Sequence, residues 1–113
     1  MVDEMISICE HIAQAEEFVE SLRKFKNIDK KALNKVSQLQ HFVMSCYSED
    51  NEEYSAAYMR AGNAIHFAQL IEGNDKRKNN YREYKKAVKD VKKMLHKERI
   101  RVKGEVLKKL KGI

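Results

Sequence analysis

Apolar residues recur along this chain at spacings of three and four, with polar residues filling the positions between them, the signature of amphipathic helices. In residues 3–25 the repeating positions are Met5, Ile8, Ile12, Ala15, Val19 and Leu22, and Cys9 and Phe18 widen the same face. Glu4, Glu10, Glu16, Glu17 and Glu20 line the other side. Lys24 and Lys26 follow at the end, where cations suit a helix dipole. The pattern predicts a first helix over 3–25. Lys26-Asn27-Ile28-Asp29 reads as a turn, with Asp29 placed to cap the next helix. A second helix is predicted over 30–47, with Leu33, Val36, Leu39, Val43 and Cys46 on one face and Phe42 beside them. The short connection makes these two an antiparallel hairpin.

Ser48-Glu49-Asp50-Asn51 is a polar break, and Asp50 and Glu53 have the spacing of a capping box. A third helix is predicted over 51–72. Its apolar face, Tyr54, Ala57, Tyr58, Ala61, Ala64, Ile65, Ala68 and Ile71, is rich in small side chains that admit a close neighbour. Gly73 suits a C-cap, and Asn74 or Asp75 suits the N-cap of a fourth element. Residues 75–113 hold no strong breaker except Gly104, and an apolar row runs through them: Tyr81, Tyr84, Val88, Val91, Leu95, Val102, Val106, Leu110 and Ile113.

Length makes this last segment a problem. As one helix its 39 residues would reach about 58 Å, against about 33 Å for a 22-residue helix. About 25 Å would overshoot a compact bundle. An apolar stripe does not usually stay in water. Two solutions are open. The chain bends between His96 and Gly104 and a fifth short helix folds back. Alternatively the stripe of Val102, Val106, Leu110 and Ile113 pairs with a second copy, giving a homo-oligomer, or with another protein partner.

Composition supports the same class. The 113 residues suit a single domain over 1–113, contain no Pro and only four Gly, and are 42% apolar and 35% charged. The expected fold is all-α: a four-helix bundle of antiparallel up-down hairpins whose C-terminal basic helix is long or broken. No run approaches the roughly 18 apolar residues of a membrane span. The N-terminus starts acidic, without the basic and apolar regions of a signal peptide, so a cytoplasmic location is expected. Cys9 and Cys46 fall at similar heights of the predicted hairpin and fit reduced thiols in such a compartment; the alternative is a redox-sensitive pair.

The mild net charge of +6 hides two unlike halves. Residues 76–113 carry 16 Lys and Arg against four acids, whereas residues 1–75 carry seven basic and 13 acidic side chains. The candidate nucleic-acid-binding residues are Lys76, Arg77, Lys78, Arg82, Lys85, Lys86, Lys89, Lys92, Lys93, Lys97, Arg99, Arg101 and Lys103, with Lys108, Lys109 and Lys111 continuing the row. A row of flexible cations binds phosphates by releasing their counterions. Lys outnumbers Arg, which favours non-specific phosphate contact over base reading. The expected role is a small non-enzymatic accessory or regulatory protein that docks on nucleic acid. Alternatives are a protein-interaction module, such as an oligomeric adaptor or inhibitor, and a solvated face that binds nothing. In that last case Glu83–Lys86, Asp90–Lys93, Glu98–Arg101 and Glu105–Lys108 would form i,i+3 pairs, and the acidic half would neutralise the tail.

Motifs for other chemistry are sparse. None of His11, His41, His66 and His96 has Glu three residues before it, there is no His-Glu-x-x-His, and two cysteines are too few for a Cys-rich zinc site. The four glycines are scattered, so no phosphate loop is formed. Neither a metal nor a cofactor is expected. Arg60-Ala-Gly-Asn-Ala-Ile-His66, flanked by Ala-Tyr-Met and Phe-Ala, resembles the Arg-x(4–6)-His signature of the HEPN superfamily of small helical ribonucleases and nucleotide-binding proteins. The resemblance covers about 15 residues, and Ala61 stands where the family often has a polar residue. It implies a dimer in which Arg60 and His66 face RNA phosphate and His66 serves as acid or base. Residues six apart on a helix differ by about 240°. The plain reading is therefore a surface Arg and a His on the helix flank.

Overall fold

A computed structural model describes residues 2–112 and contains helices and turns only among them. The helices are α1 (Val2–Arg23), α2 (Lys30–Val36), α3 (Leu39–Cys46), α4 (Tyr54–Glu72) and α5 (Lys78–Lys111). α2 and α3 together form one arm, so the architecture is an all-α four-helix bundle with a long C-terminal helix. Neighbouring arms run antiparallel.

The second arm is broken where one helix over 30–47 is expected. Ser37 Oγ and Ser37 N both donate to the Leu33 carbonyl, at 2.8 and 2.9 Å. Gln38 N then donates to Lys35 O at 3.1 Å, an i→i−3 bond. The serine side chain competes for a helical acceptor and the turn tightens to 3₁₀ geometry. The caps divide likewise. Asp29 accepts from Ala32 N at 2.8 Å, as its position predicts. The Asp50–Glu53 capping box does not form: Asn51 Oδ1 accepts from Glu53 N, and α4 starts later, at Tyr54. α4 ends on Gly73, but Asn74 takes the left-handed conformation, with φ 76°. Asn74 N donates to Ile71 O and Asp75 N to Leu70 O, the paired bonds of a Schellman motif. Neither Asn74 nor Asp75 caps α5, whose N-cap is Arg77.

α5 is the axis of the molecule. It packs most extensively on α1 and α4, and its buried row is Tyr84, Val88, Val91, Leu95, Val102 and Val106. Against it lie Ile12, Ala15, Val19 and Leu22 of α1 and Ala57, Ala61, Ala64, Ala68 and Ile71 of α4. The alanines bring α4 close to its neighbours. Phe18 of α1 stacks on Phe42 of α3, with ring centroids 4.4 Å apart. Tyr84 donates its buried hydroxyl to Leu22 O at 2.9 Å, satisfying a carbonyl in the last turn of α1.

The overshoot is resolved without a bend or a returning fifth helix. α5 is continuous through Gly104, about 51 Å by its 34 residues, and the molecule is 57 Å long. α1 and α4 are staggered along it. Asn51, just before α4, bonds Glu98, so α4 covers the half of α5 nearer its N-terminus. Leu22 meets Tyr84, Glu16 meets His96, and Ile6 shares a groove with Val106. α1 therefore runs out along α5 beyond the end of α4. Val102 and Val106 are buried there. Ile8, expected in the core, is exposed because no helix lies opposite it at that height.

Gly104 adopts helical geometry and a Cβ on it would meet no atom within 4 Å. Packing of Val102 and Val106 on either side holds the helix where glycine alone favours a break. Gly104→Ala is expected to stabilise the protein by about 0.5–1 kcal/mol. The readout is a higher urea midpoint at unchanged slope. A loss of stability would contradict the unbroken helix.

Candidate nucleic-acid interface

The cations of α5 fall into two groups. The first are held by acids of neighbouring elements or, for Arg101, of α5 itself. Lys92 Nζ contacts Glu20 Oε2 at 2.5 Å. Arg99 Nε donates to Glu16 Oε2, and His96 Nδ1 lies 2.9 Å from Glu16 Oε1. Lys97 lies 3.8 Å from Glu53. Arg101 binds Glu98 through Nε and Nη2, both at 2.8 Å, and reaches Glu105 through Nη1. Glu98 is buried and also accepts from Asn51 at 3.2 Å. Two hydrogen-bonded partners hold a carboxylate that would be costly to bury alone, and the pairing pushes the Arg101 guanidinium pKa upward. Of the i,i+3 pairs suggested by spacing, Glu98–Arg101 forms. Glu105 turns back to Arg101 instead, where Lys108 is expected. Glu83–Lys86 and Asp90–Lys93 are not among the ion pairs of the described residues.

The second group, Lys78, Arg82, Lys85, Lys86, Lys89, Lys93 and Lys103, is exposed and enters no ion pair among the described residues. Lys76 Nζ donates to Asn27 Oδ1, and Arg77 is tied to Asp75 by two bonds. The thirteen predicted binding residues are thus not one surface. Arg99 and Arg101 are structural ion-pair partners, and the open cations concentrate on the outer face of α5.

That face meets α1 in an open groove of about 490 Å³ lined by Glu16, Arg23, Lys89, Lys92, Lys93 and His96. Its one lining acid, Glu16, already faces Arg99 and His96. Arg23 is a contributor that the charge count of the C-terminal third leaves out. Its only sequence signal is its place as the last cation of α1. Arg23 donates to both oxygens of Glu20, at 3.0 and 2.6 Å, and Lys92 approaches the same carboxylate. These bonds, Arg23 first, hold the Glu20 carboxyl down at about 2. Both cations are fixed at the groove wall by a single acid.

Other predicted features lie elsewhere. Of the apolar stripe, Val102 and Val106 are buried on α1, Leu110 is half-exposed, and Ile113 lies outside the described residues. Arg60 lines a small groove with Asn63, Phe67 and Asp90, whereas His66 is exposed, its ring edge-on to Phe67 at 5.2 Å. The two share no cavity among those described. Cys9 and Cys46 are both free thiols, and burial raises Cys46 to about 11. Among the described residues no cluster of three or more His, Cys, Asp or Glu is arranged to hold a metal. No described helix is long and apolar enough to cross a membrane. No family model matches the chain, and comparison with curated proteins and with solved structures returns no significant match.

Glu20 gives this region a pH signature. A folded pKa depressed from 4.5 to about 2 means that the folded state binds fewer protons than the unfolded chain between those values. The stabilisation is fully present above about 4.5 and is lost as pH falls toward about 2. Urea midpoints of the wild type and Glu20→Gln should differ by a constant amount above pH ~5 and converge as the pH drops. A pH-independent difference would show that Glu20 is not held ionised by Arg23 and Lys92.

Proposed function

We propose that the protein is a non-enzymatic accessory or regulatory factor that docks on nucleic acid through the outer face of α5 and its groove with α1. The observation that carries this reading is the groove itself. Arg23, Lys89, Lys92 and Lys93 converge on one opening whose lining acid is already engaged. Phosphate oxygens recurring along a strand would find lysines at Lys78, Lys85, Lys89 and Lys93, one or two helical turns apart. The ammonium groups sit on flexible stems and offer point charges rather than a planar fork, so contact is with the backbone and sequence is not read. The bundle behind the face is rigidly packed and acts as a mount.

Fluorescence anisotropy with single-stranded RNA and duplex DNA, over a series of salt concentrations, tests this. Binding is expected at low salt, with affinity falling linearly on a log–log plot. Replacing Arg23, Lys89 and Lys93 together by Gln should weaken binding and lower the slope by about 2–3, from 0.7–0.9 per phosphate contact. Lys30→Gln with Lys31→Gln, on α2, should leave both unchanged. No binding at low ionic strength, or equal losses from the two sets, would overturn the proposal.

A further inference from the structure

We infer that the distal half of the α1–α5 face, beyond the basic groove, is where a second copy of this chain docks. The inference stands apart from nucleic-acid binding and rests on apolar exposure and on the placement of charge. Ile6 is 41% exposed, Ile100 56%, Leu107 49% and Leu110 50%. Ile100 and Leu107 lie seven residues apart on α5, as do Lys103 and Leu110, so the four form two adjacent rows. Lys103 borders a groove of about 300 Å³ with Ile6, Glu10, Ala13 and Val106. The aliphatic rows therefore flank the line where α1 meets α5. Of these only Leu110 belongs to the apolar stripe, whose Val102 and Val106 are already covered.

Beside Ile6 and Ala13 runs a third row on α1: Asp3, Glu10 and Glu17, again seven apart. All three are exposed, and none has an ion pair among the described residues. At these heights α5 carries Lys103 on the groove and Lys111 further out, both exposed and likewise without an ion pair among the described residues. The face is thus acidic along one helix and basic along the other, with aliphatic side chains between.

This layout selects one symmetry. A two-fold axis parallel to the helices lays α1 of one copy on α5 of the other without changing height. Glu16 faces His96 and Ile6 lies level with Val106 within one copy. The same heights across the axis set Glu10 near Lys103 and Asp3 near Lys111, each acid opposite a cation. An axis perpendicular to the helices would lay α1 on α1 and α5 on α5, acid on acid and lysine on lysine, which is repulsive. The pairing is isologous and closes at two copies. Toward the basic groove, Arg23 and Lys89 of the two copies would repel, so the contact is confined to the distal half and the groove stays open.

Sedimentation velocity at low salt over a range of loading concentrations tests the inference, with circular dichroism as the check on folding. A monomer–dimer equilibrium is expected. Leu107→Lys should shift it to monomer, and Ile100→Lys serves the same purpose if the first variant fails to fold. Glu10→Lys alone and Lys103→Glu alone should each weaken association about tenfold, and the two together should restore it. A monomer at every concentration overturns the inference. So does a dimer that is indifferent to Leu107→Lys or Ile100→Lys, or a double exchange as weak as the singles.

Discussion

The fold depends on one buried row, Tyr84 to Val106, on a single helix. α1 and α4 pack more extensively on α5 than on the short helices α2 and α3. Without α5 their apolar faces would meet only the short broken arm. The row works because its neighbours are complementary in size. Ala57, Ala61, Ala64 and Ala68 let α4 approach closely, while Ile12, Val19 and Leu22 fill the space on the other side. Tyr84 contributes twice, by filling volume and by bonding the Leu22 carbonyl.

The same helix divides its charge by geometry. Cations beside α1 or the start of α4 are neutralised by Glu16, Glu20, Glu53 and Glu98. Lys78, Arg82, Lys85, Lys89 and Lys93, further out, enter no ion pair among the described residues. The acidic first half of the chain, joined by Glu98 of α5 itself, is therefore a selective counterion. It fixes the side chains that orient α5 and leaves those facing outward. A high lysine count is weak evidence of function, but unneutralised lysines around one groove are a more specific feature.

Much of this was legible in the chain. The periodicity placed all the arms, and nearly every residue buried in α1, α4 and α5 lies on its expected face. Asp29 and Gly73 marked real helix ends. What could not be read was stagger. Helix lengths alone put about 25 Å of α5 beyond the bundle, because they assume that all arms begin level. Offsets between α1 and α4 arise from contacts such as Tyr84–Leu22 and Asn51–Glu98, more than 45 residues apart in sequence. For the same reason Arg23 was not seen as part of the basic groove. Its partners are Lys89 and Lys93, on an element to which no local pattern ties it. The Ser37 break was missed because a serine near the middle of a helix is common, and only its hydrogen bond to Leu33 O makes the turn.

The pairing of α1 with α5 also sets an order of events. The bonds that join these helices close loops of 62, 72 and 83 residues, whereas α4 and α5 are joined by a turn of a few residues. Loop-closure entropy favours the nearer partner. By this criterion the α4–α5 hairpin closes at lower entropic cost than the pairing of α1 with α5. During synthesis α1 is made before α5 and lacks its main partner until α5 follows. Its acids, Asp3, Glu4, Glu10, Glu16, Glu17 and Glu20, give the unpaired helix a negative charge that opposes self-association in the meantime.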